Sequence, residues 1–171
     1  MKERTGLVTM KGKPLTLWGE ELKTGQLIPD CTLVANDLSE VKLSSFRGKR
    51  CIISAVPSLD TQVCDMQTKR FNTEAAQLGP DVTILTVSMD LPFAQKRWCG
   101  QSGVNHVKTL SDYKEASFGQ AFGVLIKDLR LLARSIFVVD SQGTLQYVQL
   151  VQEIATEPDY DKALEAVRKI R

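Results

Sequence analysis

The chain has 171 residues, 43% of them apolar and 25% charged. That length and balance suit one domain with a full hydrophobic core, read over residues 1–171, and they exclude a disordered, collagenous or coiled-coil chain. Lysine and arginine number 22 against 20 acidic residues, a net charge of +2, which is far from the concentrated positive footprint that nucleic acid or an anionic membrane requires.

The first residues, MKERTGLVTMKGKPLTLWG, begin charged, and no apolar stretch of secretory type follows. The expectation is a cytoplasmic protein whose cysteines are reduced, with any disulfide transient and catalytic. No apolar run approaches the roughly 18 residues needed to span a bilayer. Leu7 to Met10 and Leu15 to Trp18 alternate around Lys11-Gly12-Lys13-Pro14 and predict an N-terminal β-hairpin. Cys31 to Ala35 and Glu40 to Leu43 predict a second short strand pair around Asn36-Asp37.

Cys51 to Val56 is a continuous apolar run, the pattern of a central strand buried on both faces. Pro57 ends it. A helix is predicted from Thr61 to Leu78, with Val63, Met66, Phe71, Ala75 and Leu78 at helical spacing and Gly79-Pro80 as its stop. Val82 to Ser88 reads as a second buried strand. Leu91-Pro92 opens a helical segment to about Cys99, ended by Gly100 and Gly103, and Ser117 to Phe122 adds a turn or two of helix.

Leu132 to Val139 and Thr144 to Val151 read as strands joined by Asp140-Ser141-Gln142-Gly143, a hairpin turn composition. A last helix starts at Thr156-Glu157-Pro158-Asp159, with Tyr160, Ala163, Leu164, Val167 and Ile170 on its inner face. This order predicts an α/β fold with a mixed sheet flanked by helices, thioredoxin-like in arrangement.

Four cysteines, Cys31, Cys51, Cys64 and Cys99, contain no CxxC pair, and there is one histidine, His106. Neither a zinc knuckle nor a CxxC redox motif is present. Cys64 carries the most information. It falls in the first turn of a helix that follows a buried strand, where orphan N–H groups and the positive end of the helix dipole favour thiolate over thiol. Thr61 lies one turn earlier, and its hydroxyl could donate to the sulfur and accept from a substrate oxygen. Pro57 sits at the strand–helix junction, where its ring can shield the sulfur from water. By position alone, Cys64 reads equally as a small buried hydrophobe and Thr61 as a cap. Arg134 taken alone reads as a strand-end ion-pair partner.

The stretch Pro57-Ser58-Leu59-Asp60-Thr61-Gln62-Val63-Cys64 resembles the P-x-x-x-T-x-x-C signature of peroxiredoxins. Three further blocks follow in order: DLPFAQKRWCG at Asp90 to Gly100, LARS at Leu132 to Ser135, and LVQEIATEPDY at Leu150 to Tyr160. Together they resemble the bacterial thiol peroxidases, the atypical two-cysteine branch of the peroxiredoxins, over nearly the whole chain. The resemblance implies a thioredoxin fold, a homodimer, no metal or organic cofactor, a peroxide substrate and thioredoxin as reductant. It also implies that Cys64 is the peroxidatic cysteine and Cys99 the resolving one. Thr61 would then hydrogen-bond peroxide and sulfur, and Arg134 would hold the thiolate and the peroxide oxygens.

Cys64 and Cys99 fall in separate predicted helices, so a bridge between them implies local unwinding of both, and Gly100 and Gly103 ease it in the second. Cys31 and Cys51 begin strands and read as packing residues. Trp98 reads as a core anchor or as a cover for the neighbouring thiol, and His106 as a loop or surface residue. Asp65 suits the helix dipole and points away from its neighbour by about 100°. Cys64 to Arg70 formally matches C-x5-R, the cradle of cysteine phosphatases, but it lacks glycine and reads as continuous helix. A chaperone-like module with the same fold, or a relay that passes oxidation to a partner protein, would use the same sequence differently.

Overall fold

Two uninterrupted apolar runs, Cys51 to Val56 and Val82 to Ser88, set the centre of the molecule. The computed structural model describes residues 1–171. In chain order the strands and helices are β1 Glu3–Met10, β2 Lys13–Trp18, β3 Thr32–Val34, β4 Glu40–Lys42, β5 Arg50–Ala55, α1 Gln62–Leu78, β6 Val82–Ser88, α2 Pro92–Ser102, β7 Lys108–Ser111, α3 Ser117–Ala121, β8 Leu125–Ile126, β9 Leu131–Leu132, β10 Ser135–Val139, β11 Leu145–Leu150 and α4 Tyr160–Lys169.

Seven strands form the main sheet in the order β11-β10-β5-β6-β7-β3-β4, and β1-β2-β8-β9 form a smaller one. β5, β6 and β7 run parallel, while β10 joins β5 antiparallel. Parallel neighbours need crossovers, and α1 and α2 supply them. The fold is therefore the mixed α/β sheet flanked by helices that the sequence predicts.

Alternation along β5 explains its double burial. Ile52 faces the apolar layer that holds Cys64, Trp98, Ala163 and Val167, whereas Cys51, Ile53 and Ala55 face the layer that holds Phe118, Leu125 and Phe137. Helices α1, α2 and α4 thus cover one face. Helix α3 and the smaller sheet cover the other. No helix is long and apolar enough to cross a membrane.

Four boundaries differ from the sequence expectation. The single strand expected over Leu132 to Val139 is two strands. β9 pairs with β8 in the smaller sheet, β10 pairs with β5 and β11 in the main sheet, and Ala133-Arg134 crosses between them. A continuous apolar run reports burial but not which sheet receives it. β7 and β8 are too short for a periodic signal. α2 runs through Gly100 and stops at Gly103, whose φ of 67° supplies the left-handed C-cap, so one glycine ends the helix and the other lies inside it. The last helix begins at Tyr160 rather than Thr156. Pro158 disfavours helix just before it, and Asp159 accepts from the Lys162 N–H at 3.1 Å as N-cap.

Candidate active site

The β5–α1 connection is short and firmly held. Pro57 is buried at the end of β5, and Ser58 to Thr61 lead into α1. Asp90, between β6 and α2, fastens this turn. Its Oδ1 accepts from Ser58 Oγ at 2.7 Å, and its Oδ2 accepts from the Leu59 N–H at 2.8 Å and Ser88 Oγ at 2.7 Å. Thr61 occupies the N-cap position with extended backbone, φ −95° and ψ 146°, and its carbonyl accepts from the Asp65 N–H at 2.9 Å. Its hydroxyl donates to Ser58 O at 3.0 Å and makes no hydrogen bond to Cys64, unlike the expected contact.

Cys64 is the third residue of α1 and is fully buried. Arg134, 2% exposed, reaches it from the crossing between the two sheets. Its Nη2 donates to Cys64 Sγ at 3.3 Å, Nη1 to Gln67 Oε1 at 2.7 Å and Nε to Ile154 O at 2.8 Å. Gln67 Nε2 donates in turn to Ser54 Oγ at 2.6 Å. The Ile154 carbonyl is itself held by the N-terminal hairpin, since the Ile154 N–H donates to Thr9 O at 3.0 Å and the Thr9 N–H donates to Gln152 O. No carboxylate bonds the guanidinium. A buried permanent cation without a counter-charge is costly, and of its three partners only the Cys64 sulfur can become an anion.

Cys99 lies in α2, partly exposed, with Sγ 3.5 Å from Thr109 Oγ1. All four cysteines are free thiols. Ser54, Thr86 and Thr109 stand in register across β5, β6 and β7. Neighbouring strands are about 4.8 Å apart, so Ser54, which holds Gln67, and Thr109, which contacts Cys99, are separated by roughly 10 Å. Between the helices, Trp98 Nε1 donates to Asp65 Oδ1 at 3.0 Å, and Asp65 Oδ2 takes Lys69 Nζ at 2.8 Å. Trp98 is thus a core anchor with a polar tie.

The other cysteines lie across the sheet from Cys64. Burial pushes the Cys31 thiol up to about 12, helped by the nearby Asp112, and burial pushes the Cys51 thiol up to about 11. Both are protonated at neutral pH. His106 is exposed, and its backbone N–H donates to Asn72 Oδ1 at 2.7 Å. Arg70 pairs with Glu74 at 3.0 Å and lies over the Tyr160 ring, so it forms no phosphate cradle around Cys64. Sequence reasoning missed Gln67, Ser54 and Asp90. Gln67 carried a signal: a polar residue one turn after Cys64 on a buried helix face.

The sequence profile described as Redoxin matches residues 23–164. The chain belongs to the Redoxin family. Its Redoxin region includes Pro57, Thr61, Cys64, Cys99 and Arg134 and leaves the N-terminal hairpin outside. The protein named thiol peroxidase from Bacillus subtilis (strain 168) is 53% identical over 163 residues, covering 95% of this chain and 97% of the relative. Its namesake from Staphylococcus aureus (strain MRSA252) is 47% identical over 163 residues, covering 95% and 98%. Among solved structures, a peroxiredoxin-like protein from Aquifex aeolicus superposes with a TM-score of 0.90 at 42% identity, over 97% of this chain and 96% of that one. A thiol peroxidase from Chromobacterium violaceum shares the fold, with a TM-score of 0.84 at 19% identity over 95% of each chain. This Redoxin is a peroxiredoxin-type enzyme.

Proposed function

We propose that the protein is a thiol-dependent peroxidase that reduces hydrogen peroxide and organic hydroperoxides, with Cys64 as the attacking sulfur and Cys99 as its resolving partner. The observation that carries this reading is the buried Arg134 guanidinium, aimed at Cys64 and lacking any carboxylate of its own. The Cys64 thiolate attacks the terminal oxygen of R–O–O–H. The O–O bond breaks, sulfur gains the hydroxyl as Cys64–S–OH, and the leaving alkoxide or hydroxide takes up a proton. Negative charge spreads over sulfur and both oxygens in the transition state, where Arg134 and the first N–H groups of α1 act as fixed donors. Thr61 turns its hydroxyl from Ser58 O to the peroxide, and Pro57 keeps bulk water from the sulfur. Because Cys64 is fully buried, the Thr61 turn must move to admit substrate.

In the second step the sulfenic acid and the Cys99 thiol form a disulfide and release water. A dithiol of the thioredoxin type then reduces it by exchange and leaves oxidised itself. A homodimer in the cytoplasm, where such dithiols are kept reduced, completes the reading. Peptide mass mapping after one equivalent of hydrogen peroxide tests it. A loss of two hydrogens linking the Cys64 and Cys99 peptides is expected. A bridge to Cys31 or Cys51, or peroxide consumption that survives Cys64→Ser, overturns it.

A further inference from the structure

The residue after Cys64 and the residue before Cys99 are hydrogen-bonded to each other. Trp98 Nε1 donates to Asp65 Oδ1 at 3.0 Å. Trp98 is buried in the same apolar layer as Cys64, and Lys69 holds the second carboxylate oxygen of Asp65 at 2.8 Å. Asp65 and Trp98 are the immediate neighbours of the two thiols, so their tie holds α2 against α1 with Cys64 and Cys99 each kept in its own helix. The opposite end of α2 is anchored separately by Asp90, which grips Ser58 and Leu59. Gly100, inside α2, weakens the helix just beyond Cys99.

We propose that the Asp65–Trp98 hydrogen bond is a latch that times the second step. Asp65 and Trp98 are positioning residues here. While the bond is closed, both helices stay wound and Cys99 is held away from Cys64. When it opens, α2 unwinds from the Cys99 end about the Asp90 anchor. The inference rests on the Cys64–Cys99 reading above and adds a consequence. The sulfenic acid has two fates. It condenses with the Cys99 thiol and releases water, or it meets a second peroxide, whose terminal oxygen passes to sulfur to give the sulfinic acid while ROH departs. A tighter latch lengthens the life of the sulfenic acid and favours the sulfinic product.

The test compares Asp65→Ala with Asp65→Asn by rapid quench, thiol alkylation and mass spectrometry, following both the disulfide and sulfinic acid at Cys64. Both variants lose the charge beside Cys64, whereas only Asp65→Ala loses the acceptor, so their ratio isolates the hydrogen bond. Disulfide formation is expected to be about tenfold faster in Asp65→Ala than in the wild type, as suits a charge-assisted bond, with Asp65→Asn between them. The peroxide needed for half-maximal sulfinic acid should rise in the same order. Trp98→Phe, which keeps the ring and loses the N–H, should reproduce Asp65→Ala. Equal disulfide rates and sulfinic yields in Asp65→Ala and Asp65→Asn overturn the latch. A wild-type protein that forms no Cys64–Cys99 bridge overturns the reading beneath it, and the latch with it.

Discussion

Arg134 places its Nη2 3.3 Å from the Cys64 sulfur from a residue that belongs to neither sheet. Removing that donor should damage the chemistry more than binding. Arg134→Met is expected to lower kcat/KM for hydrogen peroxide by about 10²–10³-fold, the usual cost of one donor aimed at developing charge. Peroxide consumption under excess reductant measures it, and a loss below tenfold would contradict the role.

Asp90 joins the turn before α1 to the start of α2 through two accepted hydrogen bonds, from Ser58 and Leu59, and accepts a third from Ser88 at the end of β6. Asp90→Ala should destabilise the fold by about 2–3 kcal/mol, because it leaves half-buried donors unpaired. Urea unfolding measures the loss. Hydrogen exchange should be faster at Ser58 to Thr61, with β10 and β11 unchanged.

Oxidation should change the same two helices that carry the thiols. Bridging Cys64 to Cys99 requires unwinding, so exchange at residues 61–66 and 95–103 is expected to be faster in oxidised than in reduced protein. Identical protection in the two forms would contradict this.

Cys31 and Cys51 hold their protons far above the ordinary value of 9.0 because they are buried. The folded protein therefore binds more protons than the unfolded chain above that value. The contribution of both thiols is fully present below pH 9.0 and is lost as pH rises through about 11 and about 12. Urea midpoints should fall between pH 8.5 and 10.5, and less steeply in Cys31→Ala/Cys51→Ala. At pH 8.5 neither thiol should react with iodoacetamide until the chain is unfolded.

The main sheet and its helices were legible because β5 and β6 are continuous apolar runs and α1 has a clear stop at Gly79-Pro80. The positions of Cys64 in the first turn of a helix, Thr61 at its N-cap and Pro57 at the end of the strand were legible through local spacing. Arg134 was not, on physics alone, since its place depends on a strand breaking to serve two sheets. Gln67, Ser54 and Asp90 act through partners distant in sequence, and local periodicity has no access to such pairs. The Thr61 hydroxyl followed its nearest carbonyl, at Ser58, in place of the sulfur.

The main sheet stands as a wall through the molecule, with Cys64 and Cys99 packed on its helical side and Cys31 and Cys51 on the far side. Cross-wiring between the two pairs has no route while that wall stands. A Cys31 or Cys51 adduct recovered from aged or heated samples would therefore be a scar of unfolding, and its yield could serve as a clock for how often the whole chain opens.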